Sequence, residues 1–261
     1  MSAVLTSKPN APPRVAPSID KGRLAKTKLI LLRGKTSRYL RYLHFRNYLE
    51  KVAGEVESVC VCGAGSGFAE VAAAIEFPHI NFTLTDVIAG NYPSYHRAMD
   101  FAWRCGIDNL SFSVWNVLSP TKRRFDMVAS TEMLEHIEDD ASAAKNMRDA
   151  ARKYVYCLVP FAEASRNADP IARKRAWDHC EHHVCGYDAA RLQELFGEPV
   201  AMAGTYWATR GAAFRAKLQA LSQEEIDLQA EALIDEAALD DTGALPSASS
   251  RAVGIKILAR A

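Results

Sequence analysis

Between residues 57 and 160, short apolar runs alternate with longer amphipathic stretches. ESVCVCG, NFTLTD, LSFSVWNV, FDMVAST and YVYCLVP are dense in β-branched, aromatic and thiol side chains and are bounded by glycine or polar residues, the pattern of buried strands. Residues 68–75, around 95–105, and 141–152 carry apolar positions at helical spacing between those runs. Strands separated by helices of this length imply right-handed βαβ crossovers and a parallel sheet covered on both faces. A further helix over 189–196 leads to PVAMAGTYWATR, and the chain closes on the strand-like RAVGIKILAR.

The flanks differ in character. Residues 1–22 are rich in Pro, Ser and Ala without periodicity and read as a flexible tail. From 23 to 52 the pattern is helical, with Tyr42, Phe45, Leu49 and Val52 at i, i+3, i+7 and i+10. Residues 1–52 hold twelve Lys or Arg against Asp20 and Glu50, so this arm is strongly basic. The insert 211–249, between the last two strands, reads as helical and acidic. Ser222 and Glu225 form a capping-box pattern, and eight acidic residues with no basic ones lie between 224 and 241. Residues 53–261 are expected to form the main domain, with this insert within it.

Composition narrows the class. With 49% hydrophobic residues and 32 basic against 31 acidic side chains in 261 residues, the chain can bury a full core and is not disordered as a whole. The balance argues against a surface devoted to a phosphate backbone. No apolar run approaches the roughly 18 residues of a membrane span. The N-terminus has no apolar segment of signal-peptide type. Six cysteines in a chain this long do not read as a disulfide framework, and a reduced, cytoplasmic protein is expected.

The sharpest motif is Gly63-Ala64-Gly65-Ser66-Gly67, between the first strand and its helix. Glycines there allow a tight turn and close backbone approach to a ligand beside a helix N-terminus. The glycines alternate, and Phe68 stands where a nicotinamide fingerprint wants a small residue. Asp86 ends the second strand 19 residues after Gly67, near the spacing of a carboxylate that accepts ribose hydroxyls. At the end of the third strand, Trp115, Asn116 and Val117 offer an aromatic face and an amide suited to an adenine edge.

The ordered series VCGAGSGF, LTD, WNV, FDMVASTEMLEHIED and VYCLVPF resembles the class I S-adenosylmethionine-dependent methyltransferases. Within them it is most similar to the ubiquinone-biosynthesis-like, type 11, small-molecule subgroup. The likeness spans roughly residues 38–209 and 251–260. It implies an α/β, Rossmann-like sheet of seven strands in the order 3-2-1-4-5-7-6, the seventh antiparallel, with helices on both faces. An N-terminal helical lid and a helical insert between strands six and seven complete the expected architecture. It also implies S-adenosyl-L-methionine as cofactor, with Gly63, Ala64, Gly65 and Gly67 approaching its methionine and ribose portion and Asp86 holding the ribose. Val87, Asn116 and Val117 would meet the adenine, and Glu132, Met133 and Leu134 the methionine side. Two departures stand out. Asn116 occupies a place where Asp is frequent. Val61 stands where an acidic residue is expected, which leaves the methionine ammonium to backbone carbonyls or Glu70.

Methyl transfer from a sulfonium needs alignment and exclusion of water, and a base when the acceptor is a hydroxyl or an ammonium. His136, His179, His182 and His183 are the candidate bases, and the alternative for each is a histidine that orients a loop. Tyr39, Glu135, Phe161, Trp177 and Tyr187 are the candidate acceptor contacts. The cluster His179, Cys180, His182, His183 and Cys185 lacks the second separated ligand pair of a structural zinc site, so no metal is expected. The leading expectation is a methyltransferase acting on O or N of a small-molecule acceptor. The alternatives are a non-catalytic methyltransferase-like subunit and an RNA-directed enzyme using the basic arm. STEM stands where base-methylating enzymes carry Asn/Asp-Pro-Pro-aromatic, and this argues against the last. The arm could equally pair with the acidic insert, within one chain or in a homodimer formed through either segment.

Overall fold

The computed structural model describes residues 19–34, 36–87, 93–160, 184, 186–197, 200–204, 216–217, 220–222, 225 and 253–260; of residues 32–34, 36–40, 93–95, 160, 200–204 and 253–260 the backbone alone is described. The strands are β1 (Ser58–Cys62), β2 (Asn81–Asp86), β3 (Leu110–Val114), β4 (Phe125–Thr131), β5 (Ala151–Pro160), β6 (Val200–Gly204) and β7 (Val253–Arg260). They form one sheet in the order β3-β2-β1-β4-β5-β7-β6. Neighbours from β3 to β5 run parallel, while β7 is antiparallel to both β5 and β6. The helices are α1 (Lys21–Gly34), α2 (Thr36–Val52), α3 (Phe68–Glu76), α4 (Pro93–Arg104), α5 (Asp140–Ala150) and α6 (Ala189–Phe196). This is the helix-covered, Rossmann-like parallel sheet that the alternation of runs implied.

Side chains alternate across each strand and so divide the core in two. Val59, Val61, Met127, Ala129, Tyr156 and Leu158 point to the face covered by α1, α2 and α3. Cys60, Cys62, Val128, Val155, Cys157 and Val159 point to the opposite face, against Ala143, Met147 and Leu192. Each large side chain buried this way stabilises the fold by about 1.5–3 kcal/mol relative to exposure.

The N-terminal segment, helical as its pattern required, is divided into two helices, α1 closing at Gly34 and α2 opening at Thr36; glycine in a helix gives up backbone entropy and favours termination there. Helix α1 also reaches back beyond the expected boundary at 22, because the Asp20 carboxylate caps it by accepting the Arg23 N–H at 3.0 Å. On α2, Tyr42, Phe45, Leu49 and Val52 are all buried, as their spacing required. Lys28, Arg41 and Arg46 of the arm meet acids of the main domain. Glu76, at the end of α3, accepts the Tyr42 hydroxyl and Arg46 Nε (2.8 Å), with Lys28 at 3.9 Å. The helix expected over 141–152 stops at Ala150, and β5 begins at once with Ala151. Residues 1–18 and nearly all of the expected acidic insert lie outside the described residues. Among those described, no helix is long and apolar enough to cross a membrane.

Candidate functional site

The carboxyl ends of parallel strands open a crevice where helices start, and the candidate site lies there. The turn from β1 to α3 needs three left-handed residues, and glycine fills each one: Gly63 (φ 64°), Gly65 (φ 55°) and Gly67 (φ 73°). At Gly63 space is also short, since a β-carbon would lie 2.6 Å from Met133 Cγ. At Gly65 a β-carbon would meet nothing nearer than the Gly63 carbonyl oxygen at 4.0 Å, so conformation alone demands glycine. The turn is fastened to β2. The Ala64 N–H donates to the Thr85 carbonyl at 3.1 Å, and the Gly65 N–H to Asp86 Oδ2 at 3.2 Å. Val87 and Val114, both exposed, flank Asp86 at the ends of β2 and β3.

A cavity of about 250 Å³ adjoins this turn. Gly63 to Ser66 form one wall, with Ala69 and Glu70 from the first turn of α3. Thr131, Glu132 and His136 form a second, beyond β4, and Leu31, Arg41, Tyr42 and Phe45 close it from α1 and α2. Glu132 is the sole non-glycine residue with positive φ (51°) among the described residues, a conformation that costs about 1–3 kcal/mol. Two contacts hold it there. Its N–H donates to the Leu158 carbonyl at 2.7 Å, and its Oε2 meets Arg41 Nη2 at 2.8 Å.

The carboxyl groups at this end of the sheet differ in their surroundings. Glu70 is 4% exposed and has no ion pair among the described residues. Burial pushes it up to about 7, with its own backbone N–H opposing that rise. Glu135 is fully buried and pushed well above the usual carboxylate range, first by burial and then by the Glu132 charge, with Arg41 opposing. His136 is substantially exposed, lines the cavity, and has Nε2 4.0 Å from Glu135 Oε1.

Several expected residues are therefore brought together: Gly63, Ala64, Gly65, Glu132 and His136 line the cavity, with Gly67 and Asp86 fixing its turn. Met133 packs against Gly63. Two acceptor contacts are corrected. Tyr187 is fully buried and donates its hydroxyl to the Leu134 carbonyl at 3.1 Å, so it pins the turn after β4 from behind. Glu135 likewise lies in the interior and not in the cavity wall, because the short 3₁₀ turn over Leu134–His136 directs it inward while leaving His136 outside. Val117 is buried, with its carbonyl accepting from Asn146 Nδ2 at 2.8 Å. Asn116 is exposed and its Oδ1 accepts the Leu118 N–H at 3.0 Å, so an adenine amine would have to compete for that oxygen. His179, His182, His183, Phe161, Trp177 and the Tyr39 side chain lie outside the described residues. Among those described, no group of His, Cys, Asp and Glu could hold a metal ion.

Leu31, Arg41, Phe45, Ala69 and Thr131 were not singled out as site residues from the sequence. A polar residue on the buried side of an otherwise apolar or small-residue helix is the signal that marks Glu70 in FAEVAAAIE.

No family model and no curated protein matches the sequence. Solved structures do resemble it. Coclaurine N-methyltransferase bound to N-methylheliamine and SAH superposes with a TM-score of 0.58 at 11% identity, over 84% of this chain and 72% of that one. The YcgJ protein from Bacillus subtilis gives 0.50 at 16% identity, over 84% and 99%. The cyclase SpnF gives 0.52 at 16% identity, over 82% and 80%. At these identities the likeness shows the fold alone, the helix-covered sheet shared with coclaurine N-methyltransferase and SpnF. The presence of a cyclase among its likenesses means that the reaction must be argued from the site.

Proposed function

We propose that the protein is an S-adenosylmethionine-dependent methyltransferase that methylates an O or N atom of a small-molecule acceptor in the cytoplasm. The observation that carries this reading is the Gly63–Gly67 turn, bonded through the Gly65 N–H to Asp86 and opening onto the cavity. The residues present fit the cofactor. Open space at Gly65 admits a ligand against the backbone, Asp86 brings a carboxylate to the turn, and Glu70 supplies negative charge for a cationic group.

S-adenosylmethionine, when bound, supplies an electrophilic methyl group on a sulfonium. The chain's own residues do the rest. The glycine turn and Asp86 fix the nucleoside, whose flat base would rest by Val87 and Val114. Leu31, Tyr42 and Phe45 present apolar surface that excludes water from the cavity and favours dispersal of charge at the transition state. His136, reachable from solvent and from the cavity, accepts the proton of an acceptor hydroxyl or ammonium at a ring nitrogen. The four described cysteines are free thiols, in keeping with a reducing compartment.

The test is incubation of the full chain with S-adenosylmethionine labelled in the methyl group and a fractionated lysate of its source. A labelled small-molecule product, identified by mass, is expected. Label found only in RNA, or in nothing, contradicts the reading.

A further inference from the structure

The cavity wall contains one carboxyl group whose placement is costly and otherwise unexplained. Glu70 is 4% exposed, sits in the first turn of α3, and lines the cavity beside Gly65 and Ser66. The other charged groups nearby already have partners. Arg41 of α2 meets Glu132, Lys28 of α1 and Arg46 of α2 meet Glu76 at the far end of α3, and His136 lies near Glu135. Tyr42 donates its hydroxyl to Glu76. Glu70 has no ion pair among the described residues, and an isolated buried carboxylate is expensive unless a cation joins it. The strand before it, Ser58–Cys62, offers no acid of its own, as its side chains are Ser, Val and Cys.

Resting on the cofactor reading above, we infer that Glu70 is the counter-ion of the ligand's amino-acid ammonium, and that forming this pair expels a proton from the protein. The ammonium donates to a Glu70 oxygen. The carboxyl proton leaves to solvent, so one O–H bond breaks and no other covalent bond changes. Burial holds the free carboxyl near neutrality, at about 7, which places the linkage inside the accessible pH range. S-adenosylmethionine and S-adenosylhomocysteine both carry the ammonium, whereas 5′-methylthioadenosine carries the same nucleoside without it.

Calorimetry with these last two ligands tests the assignment on the wild type and on Glu70→Gln. Wild-type protein should bind S-adenosylhomocysteine about eightfold more tightly at about pH 7.5 than at about pH 6, from the change in the ionised fraction of a group titrating near 7. It should bind 5′-methylthioadenosine equally at both. Glu70→Gln should bind S-adenosylhomocysteine with no such pH response, and 5′-methylthioadenosine like the wild type. A pH response that survives in Glu70→Gln belongs to His136 or another group and overturns the inference. A second measurement needs no variant. Repeating the wild-type titration near pH 7 in buffers of different ionisation enthalpy should show release of about half a proton per S-adenosylhomocysteine bound. Binding of both ligands without proton release overturns the role of Glu70 and leaves the cofactor reading standing. Binding of neither overturns both.

Discussion

Arg41 on α2 and Glu132 beyond β4 face each other across the cavity, Nη2 to Oε2 at 2.8 Å. The two side chains are 24% and 16% exposed, sheltered enough for the pair to matter. Their contact joins the N-terminal helices to the strained residue that follows the carboxyl end of β4, and Arg41 also offsets the carboxyl of Glu135 beneath.

Coupling between these two should be measurable. Arg41→Met and Glu132→Gln are each expected to lower stability by about 1–2 kcal/mol, as each leaves a half-buried polar partner behind. The double variant should cost clearly less than the sum of the two, read from urea unfolding in a double-mutant cycle. Strict additivity would mean that the contact carries no energy.

Gly65 and Gly106 make a controlled pair. Both have positive φ, 55° and 63°, and neither would crowd an added β-carbon. Alanine at either position should cost about 1–2 kcal/mol of stability from backbone strain. Only Gly65→Ala should weaken S-adenosylhomocysteine binding, by tenfold or more, because only there does the methyl group stand in the ligand turn. Equal binding by the two variants would remove the turn from the site.

Glu70 should also leave its mark on the ligand-free protein. Its folded-state pKa is raised, so the stabilising form is the neutral acid. That contribution is complete below the ordinary carboxyl range and is lost as pH rises through about 7. Up to about 3 kcal/mol should disappear over this window in the wild type, and the loss should be absent in Glu70→Gln. Urea unfolding from about pH 5 to about pH 8 gives the comparison. Parallel profiles would show that Glu70 is not isolated as described.

Tyr187→Phe removes one buried hydrogen bond, to the Leu134 carbonyl. A loss of about 1 kcal/mol in stability is expected, with nucleoside binding unchanged. A selective loss of ligand or acceptor affinity would return Tyr187 to the acceptor site.

The strands β1 to β5 were legible because each is a short apolar run bracketed by polar or turn residues. The glycine turn and Asp86 were legible because local conformation and spacing impose them. Arg41 was not legible. Its contact with Glu132 depends on how α2 packs against the end of β4, a long-range outcome that no local pattern in TSRYLRYLHF encodes. Tyr187 was misread for a related reason. From sequence, an aromatic after a histidine-rich segment looks the same whether it faces a ligand or the back of the turn. The arm's excess of basic residues was visible, but its partners Glu76 and Glu132 lie on elements distant in sequence.

The most direct test of the account is equilibrium binding of S-adenosylhomocysteine to the full chain and to Asp86→Ala. The wild type should bind at one saturable site, and the variant at least about tenfold more weakly, given the worth of hydrogen bonds to a charged group. No binding by the wild type, or equal binding by the two proteins, would contradict it.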